Sequence, residues 1–166
     1  WFDRSSWAKM KRGITLIEVI IVVGVLLTLV GMASVSFLPL RSRSFLDTAV
    51  TTLVSDLRSQ QIKALAGDTE GRSVNDNYGI YFGTNSYTLF HGTSFNPDDP
   101  SNFMITLEDN ISVNSTLPSS RVIFSIKSGE VLSFSETQNS ITLEDTVADN
   151  SKTININRYG VVTSVN

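Results

Sequence analysis

Few residues of this chain could act as catalysts, and their types limit the chemistry available. The 166-residue chain contains no cysteine and one histidine, His91, which falls at the end of a predicted strand. Nucleophilic catalysis needs a nucleophile beside a base, and zinc sites need several cysteine or histidine ligands. The glycine-rich motifs that bind phosphates are also missing from the sequence. We therefore expect a protein that is not an enzyme and has no cofactor, and we interpret His91 as a surface residue.

Acidic residues occur in pairs in the second half of the chain, for example Glu144-Asp145. Adjacent strand residues point to opposite faces of a sheet, so we interpret the pairs as solvated charges and not as catalytic dyads. Calcium is an alternative, because oxygen donors cluster in two stretches, but neither has an EF-hand pattern and we expect no metal site. The two stretches contain Asp98, Asp99 and Asn102, and Asp145, Asp149 and Asn150.

The charge distribution disfavours binding to nucleic acid. The net charge is -3, and residues 1–13 carry four basic residues and one acid, a balance of +3, so the rest of the chain sums to -6. Proteins that bind nucleic acid usually present a basic face. The late basic and aromatic candidates are scattered among acids: Arg121, Lys127, Lys152, Arg158 and Tyr159. DNA is therefore an unlikely partner.

Glu18 is the one charged residue in the apolar segment from Ile14 to Leu38. A carboxylate inside a membrane span costs roughly 2.5–3.5 kcal/mol on insertion scales and is functional by default. A plain anchor has no use for it. A subunit that packs its helix against identical neighbours could pair it with a buried cation.

The segment that holds Glu18 is long enough to span a membrane. As a helix, residues 14–38 would be about 37 Å long, and the hydrocarbon core is about 30 Å thick. Lys9, Lys11 and Arg12 precede the segment, which predicts a cytoplasmic N-terminus and an extracytoplasmic remainder. A secretory signal peptide is disfavoured, because its apolar stretch is typically shorter. A plain single-pass anchor stays open as an alternative.

The start of this segment resembles the processing site of type IV prepilins and type II secretion pseudopilins. The residues concerned are Lys11-Arg12-Gly13 followed by Ile14-Thr15-Leu16-Ile17-Glu18-Val19. The resemblance implies a leader, residues 1–13, that a membrane peptidase removes by cutting between Gly13 and Ile14 before methylating the new N-terminus. It also implies that Glu18 neutralises the N-terminal amine of a neighbouring subunit. The family usually has phenylalanine after the glycine, so Ile14 is a conservative difference.

Residues 39–66 are predicted to form an amphipathic helix that continues the apolar one. Pro39 marks a predicted kink, and Gly67 a predicted C-cap. Residues 43–67 resemble the corresponding helix of the minor pseudopilin H. The predicted apolar face contains Leu46, Ala49, Val50, Leu53, Leu57, Ala64 and Leu65.

Residues 67–166 are predicted to form a β-rich globular domain. We expect one hairpin from strands 78–82 and 87–91 and a second from strands 121–126 and 131–135. Further strands are predicted at 103–107, 140–143, 152–157 and 161–165. The fold class is therefore α+β. A long N-terminal helix, transmembrane in its first half, packs through its second half on an antiparallel sheet or on two small sheets.

The sequence thus predicts a structural subunit of a type IV pilus or pseudopilus, held in the inner or cytoplasmic membrane before assembly. Its expected partners are identical or related pilin subunits, the prepilin peptidase, the membrane and the assembly machinery. A minor pilin that binds DNA or another ligand is an alternative. Pilus, type II secretion and competence systems stay open, as does a start at Met10, which would shorten the leader.

Overall fold

The computed structural model describes the backbone of residues 14–36 and 38–166, and the side chains of residues 14–32 and 45–166. The predicted leader, with Met10, Lys11, Arg12 and Gly13, lies outside the described residues. The chain divides into two units, Trp1–Leu38 and Pro39–Asn166.

The described part of the first unit is the helix α1, Leu16–Ser36. Thr15 caps its N-terminus, because Thr15 Oγ1 accepts a hydrogen bond from the backbone N–H of Glu18 at 3.3 Å. All described side chains of α1 are exposed. Within the described residues, no helix combines the length and the apolar character that crossing a membrane requires.

Helix α2, Leu38–Ala66, is the helical element of the second unit. Leu46, Leu53 and Leu57 are almost fully buried along one stripe, as the three- and four-residue spacing predicts. The helix ends in a Schellman motif: Asp68 N donates to Lys63 O at 3.0 Å and Gly67 N to Ala64 O at 3.2 Å. Gly67 has a φ of 64°, so the predicted C-cap is confirmed.

The prediction for the apolar face of α2 was wrong at Leu65. Its side chain is exposed, whereas Gln60 and Ala64 are buried on the stripe. Successive helical residues are about 100° apart, so Leu65 is turned away from the face that Ala64 shares with Leu57.

The first sheet contains β1 Tyr78–Phe82, β2 Ser86–His91, β3 Phe103–Thr106 and β5 Arg121–Phe124. Its strands are all antiparallel, in the order β3-β2-β1-β5. The predicted first hairpin, formed by β1 and β2, is confirmed. A short 3₁₀ turn, Pro118–Ser120, precedes β5.

The second sheet contains β4 Ile111–Ser115, β6 Ser140–Asp145, β7 Asn150–Ile156 and β8 Val162–Val165. It is also antiparallel, with the order β4-β6-β7-β8. No strand was predicted at β4, although Ile111 and Val113 alternate with polar residues and both are buried. That alternation is the signal that would have identified it.

The predicted second hairpin is confirmed only in part. Strand β5 ends at Phe124, and the predicted partner segment makes an isolated antiparallel bridge from Val131 to Phe124, with a hydrogen bond from Leu132 N to Ile123 O at 2.8 Å. The segment 131–135 does not form a strand. Ser133 has a φ of 55°, which is incompatible with an extended strand. In addition, the N–H of Val131 donates to the carbonyl oxygen of Arg158 at 2.9 Å.

One hydrophobic core joins α2 to both sheets, so the α+β class is confirmed, with two small sheets. Ile80 and Phe124 enter this core from the first sheet, and Ile141 and Ile154 enter it from the second. Tyr87 of β2 also ties the first sheet to α2, since its hydroxyl donates to Asp56 Oδ2 at 2.6 Å.

We expect the replacement Tyr87→Phe to lower the free energy of unfolding by about 1.5–3 kcal/mol, the usual contribution of a hydrogen bond to a charged group. Urea denaturation of the full chain in detergent measures this change. Tyr159→Phe is the control, because the Tyr159 side chain is exposed. Equal effects of the two replacements would contradict the importance of the Tyr87–Asp56 bond.

Candidate functional site

The residues of the predicted processing and assembly site are only partly within the described chain. Lys11, Arg12 and Gly13 lie outside it, whereas Ile14 and Glu18 are described and exposed. Pro39 is the second residue of α2, and proline is tolerated in the first turn of a helix. The residue between α1 and α2, Phe37, lies outside the described residues, so the kink at Pro39 stays a prediction.

Glu18 occupies the first turn of α1, three residues after the N-cap Thr15. This relation was not predicted, although Thr-x-x-Glu is the sequence pattern of a capping box. A carboxylate here interacts favourably with the positive end of the helix dipole. No Lys, Arg or His among the described residues forms a salt bridge with Glu18. The Glu18 carboxylate is exposed.

In the loop with Asp98, Asp99 and Asn102, one carboxylate oxygen of Asp99 is bound within the loop. Asp99 Oδ1 accepts hydrogen bonds from the backbone N–H of Ser101 at 2.9 Å and from its hydroxyl at 2.6 Å. The Ser101 hydroxyl is the main cause of a lowered pKa of Asp99. Nowhere in the described chain do three His, Cys, Asp or Glu residues form a group that could hold a metal ion.

The interpretation of Asp145 as a solvated charge was wrong. Asp145 is fully buried at the end of β6. Its Oδ1 accepts hydrogen bonds from the N–H groups of Val147 at 2.9 Å and Ala148 at 3.0 Å. Asp145 therefore shapes the turn between β6 and β7, as short acidic side chains commonly do.

We interpreted His91 as a surface residue, but only 18% of its side chain is accessible to solvent. Its ring lies between two acids: Nδ1 is 3.0 Å from Asp76 Oδ2, and Nε2 is 3.4 Å from Asp99 Oδ2. These contacts connect the segment before β1 to the loop after β2. His91 therefore holds two loops together, and no Ser, Thr or Cys nucleophile is bonded to its ring among the described residues.

A second polar network lies beside the end of α2. Glu70 Oε1 is 2.6 Å from Lys63 Nζ, and Glu70 Oε2 is 3.1 Å from Arg72 Nη1. Arg72 Nη2 also donates to the Tyr78 hydroxyl at 2.7 Å. Partial burial by itself raises the pKa of Glu70, but the hydrogen bonds from Lys63 and Arg72 outweigh it and lower that pKa below its ordinary value.

The basic residues considered for DNA binding do not form one patch of free charge. Lys152 Nζ is 2.8 Å from Asp47 Oδ1, and Arg158 Nη2 is 3.7 Å from Glu130 Oε2. These contacts reduce the charge available to a phosphate backbone. The low expectation for DNA stays a prediction.

Comparisons of the chain with protein-family models, with curated proteins and with solved structures gave no match.

We expect Glu70 to make the second unit sensitive to acid. Because the pKa of Glu70 is lower in the folded state, its contribution to stability is complete above the ordinary value of 4.5 and is lost as the pH falls through the folded pKa. Glu70→Gln should be slightly less stable at pH 7, and its stability should fall less on acidification. Urea denaturation over a pH series measures both effects.

The control for this prediction is Glu136→Gln, which neutralises an exposed glutamate in a turn. It should retain the acid sensitivity of the unaltered protein. If Glu70→Gln loses as much stability on acidification as the control, the network does not carry the pH dependence.

Proposed function

We propose that the chain is a structural subunit of a type IV pilus or of a related secretion pseudopilus, without catalytic activity. The observation that carries this proposal is α1, whose described large apolar side chains are all exposed while Glu18 stands in its first turn. Exposed apolar surface costs about 25 cal/mol per Å² in water, so this helix needs a cover of lipid or of other subunits.

The proposed membrane segment covers residues 14–38 and therefore extends beyond the described side chains. Lys9, Lys11 and Arg12 would keep its N-terminus on the cytoplasmic side. A prepilin peptidase would cut between Gly13 and Ile14. The helix would then move from the lipid into the core of the filament, and the second unit would form the extracytoplasmic filament surface.

Glu18 supplies the proposed assembly contact. After cleavage, the new amine of Ile14 on one subunit and Glu18 on its neighbour would each be costly in an apolar core. Pairing them reduces that cost and favours one register between the two helices. The partners of the chain in this proposal are identical or related pilin subunits.

A plain single-pass anchor is the second candidate, and the cap between Thr15 and Glu18 favours it. A glutamate that completes a capping box stabilises its own helix without any neighbour. The two candidates differ in whether the negative charge of Glu18 is required.

We expect Gly13→Leu to prevent cleavage, because the proposed peptidase cuts after this glycine. Gel mobility of the chain in cells that contain a prepilin peptidase measures processing. Gly24→Leu is the matched control: it alters a glycine within α1, and a Cβ at Gly24 would meet nothing within 4 Å. Normal cleavage of Gly13→Leu would contradict the proposed processing site.

We expect Glu18→Gln to be cleaved normally but to enter filaments at least about tenfold less than the unaltered chain, since it keeps a capping side chain and removes the charge. Quantification of the subunit in sheared filament fractions measures incorporation. Thr15→Ala is the control, because it removes the capping hydroxyl and keeps the charge. Normal incorporation of Glu18→Gln would favour the plain anchor.

A further inference from the structure

We propose that a cavity at the open edge of the first sheet binds a neutral sugar. The cavity has a volume of about 290 Å³, and its walls come from Gln60 and Lys63 of α2, Leu89 of β2 and Phe103 of β3. The site lies within the second unit and does not depend on the proposed role of α1.

The cavity forms because α2 does not cover the whole sheet. Phe103 pairs with Leu89, and Leu89 pairs with Ile80, so the three side chains share one face of the sheet. Ile80 is fully buried beneath α2, Leu89 is half-buried, and Phe103 is 64% exposed. The edge strand therefore presents an aromatic ring at the mouth of the cavity.

Gln60 provides an uncharged polar group in the wall of this cavity, which also contains the charged side chains of Lys63 and Glu70. Its side chain is 2% exposed, and its Oε1 has no hydrogen-bond partner among the described residues. Buried amide oxygens normally accept a hydrogen bond, so a ligand that supplies a donor here would be favoured. A rotation of the Gln60 amide by 180° exchanges the positions of its carbonyl oxygen and its NH₂ group. A hydroxyl group can donate a hydrogen bond to the oxygen or accept one from the NH₂ group.

Apart from Gln60, the charged and polar groups around the cavity already have partners. Lys63 is bound to Glu70 at 2.6 Å, and the ring nitrogens of His91 lie 3.0 Å from Asp76 and 3.4 Å from Asp99. A charged ligand would have to displace one of these contacts. A neutral ligand with hydroxyl groups can instead bond to Gln60 without disturbing them.

A pyranose ring has the required combination of groups. Its C–H face can stack on the exposed ring of Phe103, and its hydroxyl groups can reach the amide of Gln60. The volume lies at the lower limit of common ligand pockets, about 300–1,000 Å³, which suits one sugar unit better than a long glycan.

Saturation-transfer NMR tests this proposal on the full chain in a detergent that has no sugar headgroup. The probes are the methyl glycosides of glucose, galactose, mannose and N-acetylglucosamine, with glucosamine and glucuronate as charged counterparts. We expect saturation of at least one neutral glycoside, with a dissociation constant of about 1 mM, and weaker transfer to the charged sugars. A neutral trisaccharide of the same sugar distinguishes a terminal glycan unit from a free monosaccharide.

Phe103→Ala and its neighbour Met104→Ala form a matched pair. Both side chains are 64% exposed on β3, but successive strand residues point to opposite faces, and only Phe103 lines the cavity. We expect Phe103→Ala to weaken binding about fivefold and Met104→Ala to leave it unchanged. Gln60→Leu should also weaken binding while the chain keeps its circular dichroism spectrum.

Three results would overturn the proposal. The first is the absence of saturation transfer to every neutral glycoside at tens of millimolar. The second is equal binding by Phe103→Ala and the unaltered chain. The third is preferential binding of a charged sugar, which would show that the paired charges do not select a neutral ligand.

Discussion

Two separate sheets pack their side chains against one apolar stripe of α2, which includes Leu46, Leu53 and Leu57. Burying a leucine stabilises a fold by about 1.5–3 kcal/mol relative to leaving it exposed, and this chain has no disulfide to supplement its core. The stripe of α2 is thus the surface against which both sheets are positioned. Gln61, next to the stripe, adds hydrogen bonds from its Nε2 to the carbonyl oxygens of Gly129 at 3.1 Å and Tyr159 at 2.6 Å.

The same packing explains what is unusual at the C-terminal end of α2. There the helix covers Ile80 but leaves Phe103 of the edge strand exposed, which creates the cavity we assign to a sugar. In the first unit, the described side chains of α1 are mostly apolar and all exposed. An apolar helix surface of this kind is favourable in lipid or against other helices. Lipid before assembly and neighbouring helices after assembly would provide such an environment.

Local signals were enough to predict much of the fold. The spacing of apolar residues identified α2, Gly67 marked its end, and turn residues located the first hairpin. The errors arose where tertiary contacts decide the outcome. The turn residues at 127–130 predicted a hairpin with a second strand at 131–135, but the left-handed backbone at Ser133 limits its pairing with β5 to the bridge between Val131 and Phe124. Asp145 looked like a solvated turn charge, and only the structure shows that its side chain is buried and bonded to the backbone of the turn.

The Glu18 site was only partly predictable from the sequence, and the cavity beside α2 was not predictable. The position of Glu18 within an apolar segment was evident from the sequence, whereas its relation to the Thr15 cap was overlooked although the pattern was present. The sugar cavity could not have been inferred, because it depends on Gln60, Leu89 and Phe103, which only the packing of α2 on the sheet brings together.

We propose that this chain is a processed filament subunit, and mass spectrometry of its N-terminal peptide can decide whether it is. The chain should be isolated from cells that contain a prepilin peptidase. We expect a mature N-terminus at Ile14, carrying a methyl group on its amine. Recovery of peptides in which the bond between Gly13 and Ile14 is intact, with none beginning at Ile14, would contradict it.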